Sequence, residues 1–303
     1  TPFSNNATIC SYPRFCAANE LPDGYDTASL DRLFATHLAG QAVEVPTGVG
    51  FCMYIRRQCL AEIGLFDVAN FGKGYGEEND FCIRAEEAGW TNLHALDVFV
   101  RHAGGISFGD SKSERELAAM QTLRRLHPGY ESNVHGFLAR DPARSARLTI
   151  DLARITCSDR PVILNIMHDR EGGTLRHVRE LAHRLAAKAT FLRLAPTPGG
   201  AELTLEGAHE AFSVRFALPQ EQPSLIETLQ KLQVGHVHFH HLLGHAPDIC
   251  DLPDQLGVTH DFTAHDYYTY CPQISLTGRN NKYCGELGLS QCQRCLQDSP
   301  APG

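Results

Sequence analysis

The sequence lacks any apolar run close to the ~20 residues that a membrane-spanning helix needs. It also lacks an excess of positive charge, because 35 acidic residues outnumber 27 lysines and arginines and give a net charge of −8. Neither half of the chain carries a basic patch, so we expect no nucleic-acid partner. No secretory signal peptide is recognisable. These absences predict a cytoplasmic protein without a membrane span, and peripheral membrane association stays open.

A secreted disulfide framework is also not indicated, although the chain has eleven cysteines. Their number is odd, and Cys52, Cys82 and Cys250 each stand alone within an apolar pattern. This distribution favours reduced thiols, as in the cytoplasm, over paired cysteines.

The most informative stretch is residues 74–90, where Glu77, Glu78 and Asp80 follow a Gly-x-Gly. A short helix is predicted after them, with Asn79 or Asp80 as its N-cap. Free N–H groups at a helix N-terminus favour ionised carboxylates, so one of these acids suits the role of a general base. The alternative is a solvated helix cap. Upstream, residues 50–55 are predicted to form a strand.

Five motifs surround this stretch and occur in a fixed order over about residues 1–110: PTGVGF, IRR, GLFD, GYGEENDFCIRAEEAGW and VRHAGGISFG. Together they resemble the C-terminal half of the family 2 glycosyltransferases, which have the GT-A fold. In that family these motifs follow a metal-binding Asp-x-Asp, which occurs nowhere in this chain. The sequence also has no initiator methionine. We therefore expect an internal piece of a longer protein that begins just after the nucleotide-binding half of the domain.

The resemblance implies roles for the three acids. Glu78 takes the position of the catalytic base, while Glu77 and Asp80 orient the acceptor sugar and support the loop. Relatives often have Glu-Asp where this chain has Glu-Glu-Asn-Asp, so the choice between Glu77 and Glu78 stays open. Adjacent carboxylates raise one another's pKa, which would bring a base closer to the working pH.

The resemblance also implies binding residues. Gly76 and Trp90 are expected to contact donor or acceptor, although a place in the core is slightly preferred for Trp90. His102 follows a predicted strand at the place where many GT-A enzymes bind a divalent metal, Mn²⁺ rather than Mg²⁺ because of its imidazole. A hydrogen-bonded histidine at a strand end is the alternative.

The second half begins with a pattern typical of a doubly wound α/β unit. A buried-type strand is predicted at 161–167, then a loop with Gly172 and Gly173, then a helix at 174–188. Two glycines let the backbone approach a phosphate or a sugar. Later strands would deliver His240 and His265 at their carboxyl ends, so we expect the glycines and these histidines to converge on one crevice.

Four segments of this half, EGGTLRHVRELAHRL, HVHFHHLLGH, HDYYTYCP and CGELGLSQCQRC, lie within about residues 160–296. They resemble the Rossmann-like N-terminal half of a family 4 glycosyltransferase, which has the GT-B fold. The resemblance implies that His240 lies on the acceptor side. The donor-binding half of that fold is absent from this sequence.

Two groups of side chains in this half have the composition of a metal site. Cys271, Cys284, Cys292 and Cys295 lie within 25 residues and end in a Cys-x-x-Cys, which suits a structural Zn²⁺ site, with free thiols or a disulfide as alternatives. The dense histidines between 236 and 245 also invite a metal interpretation, but an acceptor-side role is preferred.

The sequence thus predicts an α/β protein of 303 residues with two domains. Residues 1–155 would form a truncated GT-A-like domain with a helical connector, and 156–303 a Rossmann-like N-terminal domain of the GT-B type. The expected activity is transfer from a nucleotide sugar to a glycan acceptor in surface polysaccharide synthesis. The alternatives are a non-catalytic carbohydrate- or nucleotide-binding scaffold and, less favoured, a zinc-dependent hydrolase.

Overall fold

The computed structural model describes residues 1–72, 75–103, 112–206, 212–271, 273–278, 282–285 and 288–298. The chain forms two compact units, Thr1–Arg154 and Ile155–Gly303, which we call unit 1 and unit 2. The expected α/β class is confirmed, because a three-stranded sheet and a six-stranded, mostly parallel sheet are each accompanied by helices. Among the described residues, no helix has the length and apolarity needed to span a membrane.

Unit 1 is built on a small mixed sheet with the strand order β1-β3-β2. Strand β3 (Leu93–Phe99) pairs in parallel with β1 (Pro2–Phe3) and antiparallel with β2 (Ala42–Glu44). The helices are α1 (Thr27–His37), α2 (Arg57–Ile63), α3 (Val68–Phe71), α4 (Glu77–Glu87), α5 (Lys112–Leu126), α6 (Tyr130–Arg140) and α7 (Arg144–Thr156).

The core of unit 1 is aromatic. Phe3, Tyr12, Phe34 and Phe99 are almost completely buried, and the rings of Phe34 and Phe99 stack with their centroids 5.4 Å apart. Aromatic side chains bury large areas, so this cluster fixes α1 against the sheet. The result is a stable base for the loops that follow β2 and precede α4.

Helix α4 begins three or four residues earlier than the sequence predicted. Its N-cap is Gly76, with φ +91°, and not Asn79 or Asp80. A side chain at Gly76 would meet the Phe71 ring at 2.9 Å, so glycine is required there for both reasons. Because successive helical residues point about 100° apart, Glu77, Glu78 and Asp80 leave the helix in different directions.

The predicted strand at 50–55 is wrong, since these residues form turns and irregular chain. The backbone groups nearby are used elsewhere. The Gly48 N–H donates to the Cys82 thiol (3.1 Å), and the Cys52 N–H donates to the Val49 carbonyl (3.3 Å). An apolar sequence with two glycines thus forms a loop, residues 46–51, which we call the 46–51 loop.

Unit 2 is a six-stranded sheet with the order β7-β6-β5-β4-β8-β9. Strands β5 (Thr190–Thr197), β4 (Val162–Ile166), β8 (Val234–Phe239) and β9 (Thr259–Phe262) are parallel, and β6 (Gly200–Leu205) and β7 (Ser213–Ala217) extend the sheet by antiparallel pairing. The helices are α8 (Gly173–Leu185), α9 (Gln222–Lys231), α10 (Leu252–Leu256) and α11 (Leu289–Asp298).

The chain of unit 2 reverses its direction of strand addition at β4. It adds β5, β6 and β7 on one side and then β8 and β9 on the other. In open α/β sheets, such a switch point opens a crevice at the carboxyl ends of the strands, and ligands bind there. In this unit the crevice lies where β4 and β8 end.

Candidate functional site

The 46–51 loop organises the candidate site of unit 1. The Thr47 hydroxyl donates to the Asn79 side-chain oxygen at 2.6 Å, which ties the loop to the first turn of α4. A Cβ added at Gly50 would lie 3.6 Å from the carboxyl carbon of Glu78. The next residue, Phe51, stacks on the His102 ring with 4.9 Å between centroids. Glu78 and His102 therefore lie against consecutive residues of one loop.

Glu78 is partly buried beside this loop. Its Oε2 accepts a hydrogen bond from the Gly76 N–H at 3.1 Å. Burial raises the pKa of Glu78 above its ordinary value, and the neighbouring Glu77 charge adds to this. Burial, followed by the Glu78 charge, also raises the pKa of Tyr130 to about 12. Beside this loop there are therefore a carboxylate made more basic and a phenol that stays protonated. Tyr130 had no signal in the sequence.

Glu77 points elsewhere. Its Oε2 is buried and has no hydrogen-bond partner among the described residues. A buried carboxylate oxygen normally needs a donor, because an unsatisfied one carries a large desolvation cost. An incoming hydroxyl group would supply that donor.

Asp80 is only 2% exposed, and both of its carboxylate oxygens are occupied. Oδ2 pairs with the Arg84 Nε at 2.8 Å, and Oδ1 lies 2.8 Å from the His127 Nε2. These contacts join α4 to the segment that follows α5. Asp80 thus holds α4 to the segment that follows α5, and neither of its oxygens is left for the acceptor contact that was expected. His127 was not singled out in the sequence.

One ring nitrogen of His102 is hydrogen-bonded, and the other carries a free lone pair. Its Nδ1 lies 2.6 Å from the Asn6 carbonyl oxygen, which can only accept, so Nδ1 carries the proton. Metal-binding histidines are commonly oriented in this way. Among the described residues, however, no two further metal ligands gather around His102. His102 alone therefore does not constitute a metal site in this chain.

Trp90 and Gly76 have structural contacts of their own. The Trp90 indole N–H donates to Glu62 Oε2 at 2.8 Å, and its ring packs against the buried Phe81 and Ala85. One side of Trp90 also lines a polar groove of ≈ 340 Å³. Both the core and the surface interpretations of Trp90 therefore have support, while Gly76 acts through its backbone.

In unit 2, three histidines from separate elements meet at the switch-point crevice: His177 on α8, His240 directly after β8 and His265 after β9. We call them the histidine cluster. The His240 Nδ1 and the His265 Nε2 are 3.0 Å apart, and one ring nitrogen from each of the three lies within 4.8 Å of the others. The sequence anticipated that His240 and His265 would converge, but it did not single out His177.

Burial disfavours the charged form of His240 and of His265. It lowers the pKa of His240 to about 3 and also lowers the pKa of His265, with neighbouring histidines adding to both shifts. The His240 Nε2 faces the Oδ1 of the fully buried Asn165 at 3.1 Å. As Oδ1 accepts, Nε2 carries the proton, and the Nδ1 lone pair points into the cluster.

The neighbouring histidines are engaged in other contacts. The His241 Nδ1 accepts from the Leu243 N–H at 3.1 Å, and its Nε2 lies 3.2 Å from Asp266. The His238 Nε2 lies 2.8 Å from the Thr263 hydroxyl. These rings are held by the protein and leave the cluster with three members.

The two glycines of unit 2 open helix α8. Gly172 is its N-cap with φ +147°, and Gly173 is its first residue. Gly172 lines an open groove of ≈ 420 Å³ together with Arg176, Arg179 and Arg184.

The four cysteines expected to hold zinc are all described as free thiols that are partly buried. Cys271 and Cys284 lie in loops, and Cys292 and Cys295 lie on α11. Within the described ranges, the histidine cluster is the one group of three or more histidine, cysteine or carboxylate side chains close enough to share an ion. The structure therefore does not bring the four thiols together as a zinc site.

Comparisons of the chain with protein-family models, with curated proteins and with solved structures gave no significant match.

Proposed function

We propose that unit 1 takes part in glycosyl transfer from a nucleotide sugar to a glycan acceptor, as a GT-A-like domain. Unit 2 would belong to a GT-B-like module for the same class of chemistry, which suits surface polysaccharide synthesis. The observation that carries the proposal is the position of Glu78 and His102 against consecutive residues of the 46–51 loop. The five ordered motifs in the sequence support it independently.

The chemistry assigned to Glu78 is general-base catalysis. Its carboxylate takes the proton from an acceptor hydroxyl as that oxygen bonds to the anomeric carbon. The bond from the anomeric carbon to the diphosphate breaks, and its electron pair leaves with the nucleoside diphosphate. The raised pKa of Glu78 makes it a better proton acceptor than an exposed glutamate.

Glu77 is assigned to the acceptor. Its buried Oε2, which has no partner among the described residues, would accept a hydrogen bond from a second hydroxyl of the acceptor sugar. Holding the acceptor in line is a separate contribution from proton removal. Glu77 would therefore affect acceptor affinity more than the rate of the chemical step.

The divalent metal of the GT-A resemblance, Mn²⁺ or Mg²⁺, would find one prepared ligand here, the His102 Nε2. A bound metal of this kind stabilises a leaving diphosphate by charge. In unit 2, the histidine cluster and Gly172 would face the acceptor side of the crevice.

The test is nucleoside diphosphate release from a panel of UDP- and GDP-sugars, with Mn²⁺ and oligosaccharide acceptors. Glu78→Gln should lower kcat by the roughly 10²–10⁴-fold that a general base contributes. Glu87→Gln is the matched control, since Glu87 is exposed on the same helix. For the wild type, the acid limb of kcat/KM should lie above the ordinary pKa of glutamate. Full activity in Glu78→Gln would refute the assignment.

A second candidate is a non-catalytic carbohydrate-binding scaffold derived from such modules. It is favoured by the fact that no two further metal ligands gather around His102 among the described residues. A glycan array separates the two candidates. Glycan binding that is sensitive to Glu77→Ala, without diphosphate release by the wild type, would favour the scaffold.

A further inference from the structure

The histidine cluster of unit 2 is arranged as a metal site. We infer that His177, His240 and His265 bind one divalent transition-metal ion, Zn²⁺ by the chemistry of its ligands, at the switch-point crevice. This inference goes beyond the glycosyl-transfer proposal and does not depend on it. It also differs from the cysteine site expected in the sequence, because it uses imidazoles only.

The distances suit a tetrahedral ion. With Zn–N bonds of about 2.0–2.1 Å, two nitrogen ligands of one tetrahedral ion lie roughly 3.3 Å apart. The His240 Nδ1 and the His265 Nε2 are 3.0 Å apart, in a hydrogen bond that a bound ion would replace. The third nitrogen, from His177, is within 4.8 Å of both. The His177 ring, exposed on α8, lies with its centroid 5.7 Å from that of His240 and 5.2 Å from that of His265.

The central ligand is held in the orientation that a metal requires. The His240 Nε2 donates to the Asn165 Oδ1, and both residues are almost completely buried. Such a second contact fixes the tautomer and the ring plane of metal-binding histidines. It leaves the His240 Nδ1 lone pair facing the other two rings. Stacking of the His238 ring on His240, with centroids 4.0 Å apart, holds the plane further.

A ligand set of three imidazoles and no carboxylate indicates which ion is bound and how many of its positions the protein fills. Imidazole suits Zn²⁺, Cu²⁺ and Ni²⁺, and it is a poor choice for Mg²⁺ or Ca²⁺. The nearest other histidines are engaged with Asp266, Thr263 and backbone groups, so the protein supplies three ligands. Zinc sites with three protein ligands keep a fourth position for water or a ligand oxygen. The exposed edge at His177 gives that position access from solvent.

The site can be tested by metal binding to the purified 303-residue chain after treatment with a chelator. Zn²⁺ affinity is measured by competition with a chromogenic chelator, and Co²⁺ absorption reports the ligand type. We expect one tight Zn²⁺ equivalent in the wild type. His177→Ala should weaken it by more than the roughly 10–100-fold that loss of an outer-shell partner costs.

The matched control is His183→Ala. His183 lies on the same helix, is also exposed and is not a member of the cluster, so this variant should bind like the wild type. His265→Ala provides a second loss-of-ligand variant from a different element. Each variant is first checked for wild-type helicity by circular dichroism.

Co²⁺ distinguishes imidazoles from thiolates. Tetrahedral Co²⁺ bands without a thiolate charge-transfer band would support the cluster. Three results would overturn it: no tight Zn²⁺ binding by the wild type, equal affinity in the wild type and His177→Ala, or a thiolate band from the tight site. The last result would instead place the metal on the cysteines.

Discussion

Buried His94 should make the stability of unit 1 fall as the pH drops below the ordinary pKa of histidine. His94 lies in β3 and is 0% exposed, and neither ring nitrogen has a hydrogen-bond partner among the described residues. Its ring contacts Phe3 with 4.2 Å between centroids. Burial lowers the pKa of His94 from 6.5 to about 3.

The direction in which stability changes with pH follows from proton binding. Below pH 6.5 the unfolded chain binds a proton at His94, while the folded chain does not until the pH nears about 3. The contribution of a neutral His94 is therefore fully present above pH 6.5 and is lost progressively as the pH falls to about 3. Between these two pKa values, each pH unit corresponds to about 1.4 kcal/mol. The expected loss in the free energy of unfolding is therefore roughly 2 kcal/mol at pH 5 and roughly 3 kcal/mol at pH 4.

The assay is urea unfolding at about pH 7.5 and pH 5, followed by tryptophan fluorescence. The chain has one tryptophan, Trp90, which lies in unit 1 and reports on that unit. Comparison with His94→Leu is essential, because burial raises the pKa of Asp151 to about 6 and gives an opposite pH dependence. Subtracting the pH dependence of stability in His94→Leu from that in the wild type removes the contribution of Asp151 and leaves the contribution of His94.

The expected result is that the wild type loses about 2 kcal/mol more than His94→Leu between the two pH values. His37→Leu, at an exposed histidine in the last turn of α1, is the control and should follow the wild type. Equal losses in the wild type and His94→Leu would show that the ring is solvated or paired in the folded state. The buried and unpaired environment of the His94 ring would then be refuted.

Two further predictions concern helix α4. Asp80→Asn removes a buried charge that faces an arginine and a histidine. The free energy of unfolding of unit 1 should therefore fall by about 3–5 kcal/mol in the same urea assay. A fall of under about 1 kcal/mol would mean that the ion pair is solvated. Gly76→Ala combines a φ of +91° with a contact at 2.9 Å to the Phe71 ring, so it should cost more than about 1 kcal/mol. Gly136→Ala, inside α6, is its control: the added Cβ would meet only the flexible end of Arg140 at 3.4 Å, so this change should not destabilise unit 1, and equal losses from the two would contradict the geometry.

The sheet of unit 2 was the part most accessible from sequence. Alternation and apolar runs identified β4, β8 and β9, and parallel strands necessarily deliver their carboxyl ends to one edge. This is why His240 and His265 were expected together and lie 3.0 Å apart. His177 was missed because it lies in a helix, where position depends on helical phase. Its only signal was a histidine in the second turn after the glycine pair.

Other features depend on long-range contacts that sequence patterns do not encode. The apolar residues at 50–55 suggested a strand, but Gly48 donates to the Cys82 thiol and the chain turns instead. Tyr130 and His127 reach α4 from a segment about 50 residues later in the chain. Cysteine spacing likewise carries no information on where α11 places its two thiols.

The start of α4 decides how the three acids should be understood. If Asp80 were the N-cap, one of the two positions that the sequence pattern suggested, Glu77, Glu78 and Asp80 would share one flexible loop and could replace one another. Because the helix begins at Glu77, each acid has its own surroundings. Asp80 is held by Arg84 and His127, Glu78 is partly buried beside Gly50, and Glu77 keeps one buried oxygen without a partner among the described residues. Substitutions of the three should therefore act on different quantities: stability for Asp80, kcat for Glu78 and acceptor affinity for Glu77.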